Sequence, residues 1–129
     1  MPKAKPLISI VDDDESMREA VRGLMQSLGY RVEAAASAEE FLRSPHVRRT
    51  SCLITDVQMP GMTGLELHQH LSTSGKPIPT ILITAYPDDN VRERALAAGV
   101  IGYLSKPFDE NDLLACIRSA LTRSRSGGR

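Results

Sequence analysis

The stretch ISIVDDDESMRE, residues 8–19, carries the first strong signal in the chain. An apolar run rich in β-branched residues ends abruptly at Asp12, Asp13 and Asp14, and Glu15 follows directly. Two like charges about 4 Å apart repel by roughly 1 kcal/mol in water and by about 4 kcal/mol at an effective dielectric constant of ~20. The acidic group therefore requires either a nearby positive charge or side chains that separate into solvent.

The same pattern of an apolar run followed by a helical stretch continues along the chain. Met17, Val21, Leu24 and Leu28 recur at helical spacing, and Gly29 is a natural helix stop. The runs that we interpret as strands are residues 7–11, 30–35, 52–55, 80–84 and 102–105. The second run is the least apolar, which favours a place at the edge of a sheet. Strict alternation of strands and helices predicts a doubly wound α/β fold, with a parallel sheet covered by helices on both faces.

Length and composition narrow the class of protein. The chain has 129 residues, which suits one domain, and its 16 basic residues balance its 16 acidic ones. This balance gives no support for binding to nucleic acid or to a membrane surface. The apolar run near the N-terminus is too short for a signal peptide, so we expect a cytoplasmic protein. Cys52 and Cys116 match no metal or redox spacing and are expected to be buried free thiols.

Polar side chains follow the predicted strands at their carboxyl ends, where ligands bind in open parallel sheets. Asp12 and Asp13 follow the first strand, Asp56 the third and Lys106 the fifth, while Thr84 ends the fourth. Carboxylates meeting a hydroxyl and an ammonium suit a hard cation such as Mg²⁺ together with a phosphoryl group. An aspartate can itself be the nucleophile and form an aspartyl phosphate.

Four motifs in this order carry a resemblance to a known family. VDDD at 11–14, DVQMPGMTG at 56–64, ILITAY at 81–86 and KPF at 106–108 resemble the receiver domain of response regulators in two-component signalling. The resemblance runs from about Leu7 to Leu121. It implies a flavodoxin-like fold, with five parallel strands in the order 2-1-3-4-5 and five helices.

The resemblance also implies roles for the acidic residues. Asp56 would be the phosphoacceptor, and Asp13 a direct ligand of Mg²⁺ or Mn²⁺. Asp12 would help to hold the metal, largely through water, and Asp56 and the backbone carbonyl of Gln58 would complete the site. Asp14 is outside this set and is expected to cap the first helix.

The remaining roles concern the phosphoryl group and the switch. Thr84 and Lys106 would contact the phosphoryl oxygens, and Tyr103 stands where the family carries its switch aromatic. Gln58 and Tyr86 would flank the path of the attacking water and set the phosphoryl lifetime. The Lys106–Pro107 bond would be cis, as in family members.

The function implied is a phosphorylation switch that acts with a sensor histidine kinase or a small phosphodonor. The domain would catalyse its own phosphorylation and dephosphorylation without being a metabolic enzyme. DVQMPGMTGLEL and SAEEFL are similar to FixJ-type regulators, which implies transcription as an output. We also expect a phosphorylation-dependent homodimer through the fourth helix and fifth strand, and no nucleic acid or membrane binding by this domain alone. The expected parts are a tail at 1–6, the receiver domain at 7–122, and a flexible tail or linker start at 123–129.

Two other classes compete with this interpretation. A haloacid-dehalogenase-like Mg²⁺-dependent phosphohydrolase would use Asp12 as nucleophile and Asp14 as acid, but it leaves the segment that begins at Asp56 unexplained. A flavodoxin-like cofactor binder would need a phosphate loop after the first strand, where this chain has carboxylates.

Overall fold

The fold is built on one five-stranded parallel sheet. A computed structural model describes residues 5–127, with side chains described up to residue 123. The strands are β1 Leu7–Val11, β2 Arg31–Ala35, β3 Thr50–Asp56, β4 Thr80–Thr84 and β5 Gly102–Ser105. Their order in the sheet is β2-β1-β3-β4-β5, and each neighbouring pair is parallel. The predicted flavodoxin-like topology is therefore confirmed.

Five α-helices alternate with the strands, as predicted. They are α1 Glu15–Ser27, α2 Ala38–Arg43, α3 Gly64–Thr73, α4 Asp89–Ala97 and α5 Glu110–Gly127. Asp14 caps α1 as expected, because its side chain accepts from the backbone N–H groups of Ser16 at 2.9 Å and Met17 at 3.4 Å. A short 3₁₀ helix, Val47–Arg49, precedes β3 and was not apparent from the sequence.

The last helix is longer than its apolar stripe. The sequence pattern predicts that the domain ends at residue 122, whereas the backbone of α5 stays helical to Gly127. Once a helix has nucleated, each added residue contributes a hydrogen bond, so polar residues can extend it without packing. The remainder of the expected tails, residues 1–4 and 128–129, lies outside the described residues.

Alternate side chains of each strand point to opposite faces and build two sides of the core. Ile8, Ile54 and Ile81 pack with residues of α1 and α5, including Met25 and Ile117. The intervening strand residues pack against the other three helices: Val11 and Leu53 meet α2 and α3, while Leu82 meets α3 and α4. Both faces of the sheet are thus covered.

Burial along the strands agrees with their positions. All five residues of β1 are buried, whereas only the last residue of β2 is, which confirms that the second strand lies at an edge. In the sheet register, Val11 is beside Thr55 and Thr84 is beside Ser105. The carboxyl ends of the strands therefore meet along one edge. In the described part of the chain, no helix combines the length and apolar character needed to span a membrane.

The two cysteines are both free thiols, at different depths. Cys52 is fully buried in β3, and this burial raises the pKa of its thiol to about 12. Cys116 in α5 is only half-buried, so the expectation of two buried thiols holds for one of them. Its Sγ lies 2.5 Å from the position that a Cβ on Gly102 would take, which is too close for a side chain at that residue.

Candidate functional site

Three aspartates come together at the carboxyl edge of the sheet. Asp12, Asp13 and Asp56 each place a carboxylate oxygen within 4.8 Å of the other two. Asp12 is 3% exposed and Asp56 is 8% exposed, while Asp13 faces solvent. Asp56 is the last residue of β3 rather than the first residue after it. The acidic residues singled out from the sequence thus form one cluster.

Lys106 supplies the positive charge that the acidic group requires. Its Nζ lies 3.5 Å from Oδ2 of Asp12 and 3.6 Å from Oδ2 of Asp56, and its side chain is only 15% exposed. The backbone N–H of Lys106 donates to the carbonyl of Thr84 at 2.8 Å, which extends the β4–β5 pairing by one bond. The peptide bond from Lys106 to Pro107 is cis. One ammonium thus contacts the two buried carboxylates.

Polar contacts hold both the side chain and the backbone of Asp12. Its Oδ1 accepts from the backbone N–H of Asp14 at 2.9 Å, and its Oδ2 faces Lys106. Its backbone is fixed as well, because Arg18 Nη1 donates to its carbonyl at 2.8 Å and its own N–H donates to the carbonyl of Ala35 at 3.1 Å. The carboxylate of Asp12 is therefore a negative charge held in a fixed position beside Asp56.

The electrostatic balance is unfavourable for an ionised Asp56. Burial raises the pKa of its carboxyl, and the nearby charges of Asp12 and Asp13 raise it further. Lys106 opposes this, as does the N–H of Gln58, which donates to Oδ1 of Asp56 at 3.3 Å. Three carboxylates around one ammonium leave an excess of negative charge, and their donor atoms are all oxygens. Such a set fits a hard divalent cation such as Mg²⁺.

Thr84 and Gln58 are joined directly beside Asp56. Thr84 is fully buried, and its Oγ1 donates to Oε1 of Gln58 at 2.5 Å. The same Oγ1 accepts from the backbone N–H of Tyr86 at 2.9 Å. Both hydrogen-bonding functions of the Thr84 hydroxyl are therefore in use.

Of the two tyrosines that the sequence singled out, one lies in the loop between β4 and α4 and the other contacts this loop from β5. Tyr86 is within this loop and is 72% exposed. Tyr103 is half-buried on β5, and its hydroxyl accepts from the backbone N–H of Asp88 at 3.1 Å. Asp88 also caps α4 by accepting from the N–H groups of Asn90 and Val91. The loop is thus fixed by Thr84 at one end and by Tyr103 at the other.

Glu39 is a site-supporting residue that sequence reasoning missed. It lies in α2, and its Oε2 accepts from the backbone N–H of Met62 at 3.1 Å, in the loop that follows Asp56. Hydrogen bonds from its own backbone and from Met62 hold the pKa of its carboxyl below the ordinary value. Gly61 has φ +79°, and a Cβ there would lie 2.8 Å from the same oxygen. No sequence pattern pairs residues that are 23 positions apart in this way.

Gly64 allows α3 to begin directly against the end of β3. A Cβ at this position would overlap the carbonyl oxygen of Asp56, and the N–H of Gly64 donates to the carbonyl of Val57 at 3.1 Å. The sequence shows the glycine, but it does not show that the carbonyl oxygen of Asp56 excludes a side chain at this position. Close approach of the two backbones fixes the position of Asp56.

Comparison with known proteins agrees with this architecture. The model of the response regulator receiver domain matches residues 8–118. The chain therefore belongs to the receiver domains of response regulators, the class used in two-component signal transduction.

Among individual relatives, the chain is similar to the response regulator protein TmoT of Ectopseudomonas mendocina, with 41% identity over 121 residues that cover 94% of this chain and 55% of that protein. It is also 36% identical over 129 residues to the transcriptional regulatory protein FixJ of Azorhizobium caulinodans, covering 100% of this chain and 61% of that protein. The FixJ-like character expected from the sequence is confirmed. The chain spans little more than half the length of these relatives.

Solved structures give the same result. The response regulator StyR matches with a TM-score of 0.88 at 41% identity, covering 95% of this chain and 62% of that one. The crystal structure of FixJ-N matches with a TM-score of 0.82 at 33% identity, covering 93% of this chain and 96% of that one.

Proposed function

We propose that this receiver domain is a phosphorylation switch in which Asp56 accepts a phosphoryl group from a sensor histidine kinase or from a small phosphodonor such as acetyl phosphate. Receiver domains of response regulators are phosphorylated by sensor kinases. The observation that carries the proposal is the convergence of three carboxylates and Lys106 at one edge of the sheet. A phosphoryl acceptor site needs a nucleophile, a site for a cation and a group that binds the incoming oxygens. This edge of the sheet offers candidates for all three.

Asp56 is a better acceptor than Asp12 because its oxygens are less constrained. Both side chains are buried, and Lys106 is nearly equidistant from them, at 3.5 Å from Asp12 and 3.6 Å from Asp56. The backbone N–H contacts differ, because Asp14 donates to Asp12 at 2.9 Å whereas Gln58 donates to Asp56 at 3.3 Å. This difference, together with membership of the receiver family, disfavours the phosphohydrolase alternative that uses Asp12.

The transfer itself is a displacement at phosphorus. An oxygen of Asp56 forms a new P–O bond while the P–N bond to the donor histidine breaks, and the imidazole leaves with the electron pair. The ammonium of Lys106 is positioned to balance the charge on the phosphoryl oxygens as a point charge. The hydroxyl of Thr84 donates a hydrogen bond to one of these oxygens once the group is bound.

Asp12, Asp13, Asp56 and the backbone carbonyl of Gln58 would hold Mg²⁺ or Mn²⁺. Such an ion supplies positive charge that offsets the repulsion between the aspartates and an incoming phosphoryl group. Because Asp13 is the exposed member of the cluster, its carboxylate is free to adjust to the ion. The all-oxygen donor set and the excess negative charge support this assignment.

The output would be a conformational change that reaches α4 and β5. Of the side chains of α4, only Ala95 is buried, and Leu96 is 45% exposed, so this helix is lightly anchored. A pull on Thr84 would shift the loop before α4 and change the contact of Tyr103 with Asp88. The altered surface would form a homodimer and regulate a downstream partner, and the similarity to FixJ, a transcriptional regulatory protein, supports transcription as the process controlled.

Labelling tests the acceptor. The domain is incubated with Mg²⁺ and radiolabelled acetyl phosphate, and the label is then mapped and released with hydroxylamine. We expect incorporation into the unaltered domain and into an Asp89→Asn control, whose substituted carboxylate is exposed on α4, but none into Asp56→Asn. Equal labelling of Asp56→Asn would overturn the assignment. Label on Asp12 with rapid hydrolysis of phosphate esters would establish the alternative.

A further inference from the structure

The hydrogen bond between Thr84 and Gln58 has a consequence for switching. A threonine hydroxyl carries one proton and can accept through its lone pairs. In this structure, the proton of Thr84 is directed to Oε1 of Gln58 at 2.5 Å, and one lone pair accepts from Tyr86 at 2.9 Å. Thr84 is fully buried, so water does not compete freely for its proton.

Under the proposed function, the same proton is needed by the phosphoryl group on Asp56. Thr84 cannot donate it to Gln58 and to a phosphoryl oxygen at once. We infer that the carboxamide of Gln58 is a latch that holds the Thr84 hydroxyl in the unphosphorylated state and opposes the phosphorylated one. Gln58 is then a positioning residue that acts through Thr84, and this inference rests on the proposed function.

The contacts around Thr84 indicate how far release of the latch extends. The hydroxyl that leaves Gln58 is the one that holds the backbone N–H of Tyr86. Two residues further on, the N–H of Asp88 is held by Tyr103, and Asp88 caps α4. Gln58 therefore lies at one end of a series of hydrogen bonds, linked by the backbone of residues 86–88, that reaches the helix proposed to carry the output.

The size of the effect follows from the type of bond. A hydrogen bond between neutral groups contributes about 0.5–1.5 kcal/mol net, equivalent to about a 2- to 12-fold change in an equilibrium constant. Gln58 is exposed, so replacing its side chain leaves the core intact and keeps the backbone carbonyl that is proposed to bind metal. Removing the carboxamide should therefore favour the phosphoryl-bound state by about this factor.

Binding of beryllofluoride, a phosphoryl mimic, in the presence of Mg²⁺ tests the latch. We expect Gln58→Leu to lower the apparent dissociation constant about 2- to 12-fold. The matched control Gln69→Leu, an equal change on the exposed side of α3, should leave it unaltered. In a Thr84→Val background, where no hydroxyl remains to be released, Gln58→Leu should have no further effect. Unchanged or weaker binding by Gln58→Leu, or an equal gain in the Thr84→Val background, would overturn the inference.

A second measurement needs no phosphoryl chemistry. Exchange of the Thr84 hydroxyl proton with water, followed by NMR in the free domain, reports whether that proton is held. We expect slow exchange in the unaltered protein, faster exchange in Gln58→Leu, and slow exchange again in Gln58→Glu, which keeps an acceptor oxygen. Equally slow exchange in Gln58→Leu would overturn the latch alone, while the proposed function would stand if the unaltered domain binds beryllofluoride. Failure of the unaltered domain to bind the mimic would overturn both.

Discussion

Replacing Asp56 by asparagine should stabilise the folded domain when no divalent cation is present. The substitution keeps the shape of the side chain but removes one of three clustered negative charges. The pKa of Asp56 is raised above its ordinary value, first by burial and then by the charge of Asp12. An ionised Asp56 therefore disfavours the folded state relative to the unfolded chain.

The opposing charges at Asp56 nearly cancel. At an effective dielectric constant of ~20, the 3.6 Å contact with Lys106 corresponds to about 4.6 kcal/mol of attraction, and a separation of 4.8 Å or less from Asp12 corresponds to at least about 3.5 kcal/mol of repulsion. Asp13 is exposed and screened nearly as in water, so its repulsion adds about 1 kcal/mol. What remains is the cost of burying the carboxylate, which the asparagine amide avoids. We expect the free energy of unfolding to increase by about 1–2 kcal/mol. For a domain of this size, each kcal/mol raises Tm by roughly 3–6 °C.

Urea and thermal unfolding followed by circular dichroism in EDTA provide the assay. Because the pKa of Asp56 is raised in the folded state, its destabilising effect is fully present above that pKa. The effect vanishes as the pH falls below the value in the unfolded chain, where the carboxyl is protonated in both states. The advantage of Asp56→Asn should therefore be largest near neutral pH and should shrink as the solution is acidified.

A control separates the site from the loss of any negative charge. Glu93→Gln removes an exposed carboxylate from α4 and should change the free energy of unfolding by no more than about 0.5 kcal/mol. An Asp56→Asn protein that is less stable than the unaltered domain at pH 7, or whose advantage is independent of pH, would refute the reasoning.

Four further predictions concern the metal, the lifetime, the output and the fold. Asp13→Ala should abolish weak Mg²⁺ binding measured by calorimetry, because fewer anionic ligands remain, and an unchanged titration would contradict this. Tyr86→Ala should alter the decay of the acyl phosphate a few-fold, since the resemblance to receiver domains places the exposed side chain two residues past Thr84 beside the path of the attacking water, and an identical half-life would exclude that role. Beryllofluoride should promote self-association in sedimentation and shift the NMR signals of Tyr103; a monomer in both states with unshifted signals would argue against the α4–β5 dimer. Gly64→Ala should destabilise the domain by about 1–3 kcal/mol because its Cβ meets a backbone carbonyl. Gly23→Ala, which has open space around it in α1, should be neutral or stabilising, and equal effects of the two substitutions on the free energy of unfolding would contradict the steric account.

The alternation of elements was predictable from local pattern. The apolar run before Asp12 and the helical spacing after it identify β1 and α1, and similar runs mark the other strands. Local propensity and periodicity are sufficient for this because each depends on residues a few positions apart. The order of the strands depended instead on the resemblance to receiver domains. Periodicity shows which side chains are buried, but it does not show which strands are neighbours.

The cluster of acidic residues was also predictable, since residues that follow the strands of a parallel sheet meet at one edge. Asp12, Asp13, Asp56 and Lys106 are brought together in this way. The extension of α5 was not predictable, because its last residues carry no apolar stripe.

By itself, the sequence determined the elements, the edge where the chemistry lies and the residue types present there. Only the tertiary structure decided which polar atoms contact one another: the proton of Thr84 is directed to Gln58, and the carboxylate of Glu39 holds the loop after Asp56. The physical reason is that hydrogen bonds require donor and acceptor within about 3.5 Å. Partners far apart along the chain reach that distance only after the sheet and helices have packed, so no local pattern records which of them will meet.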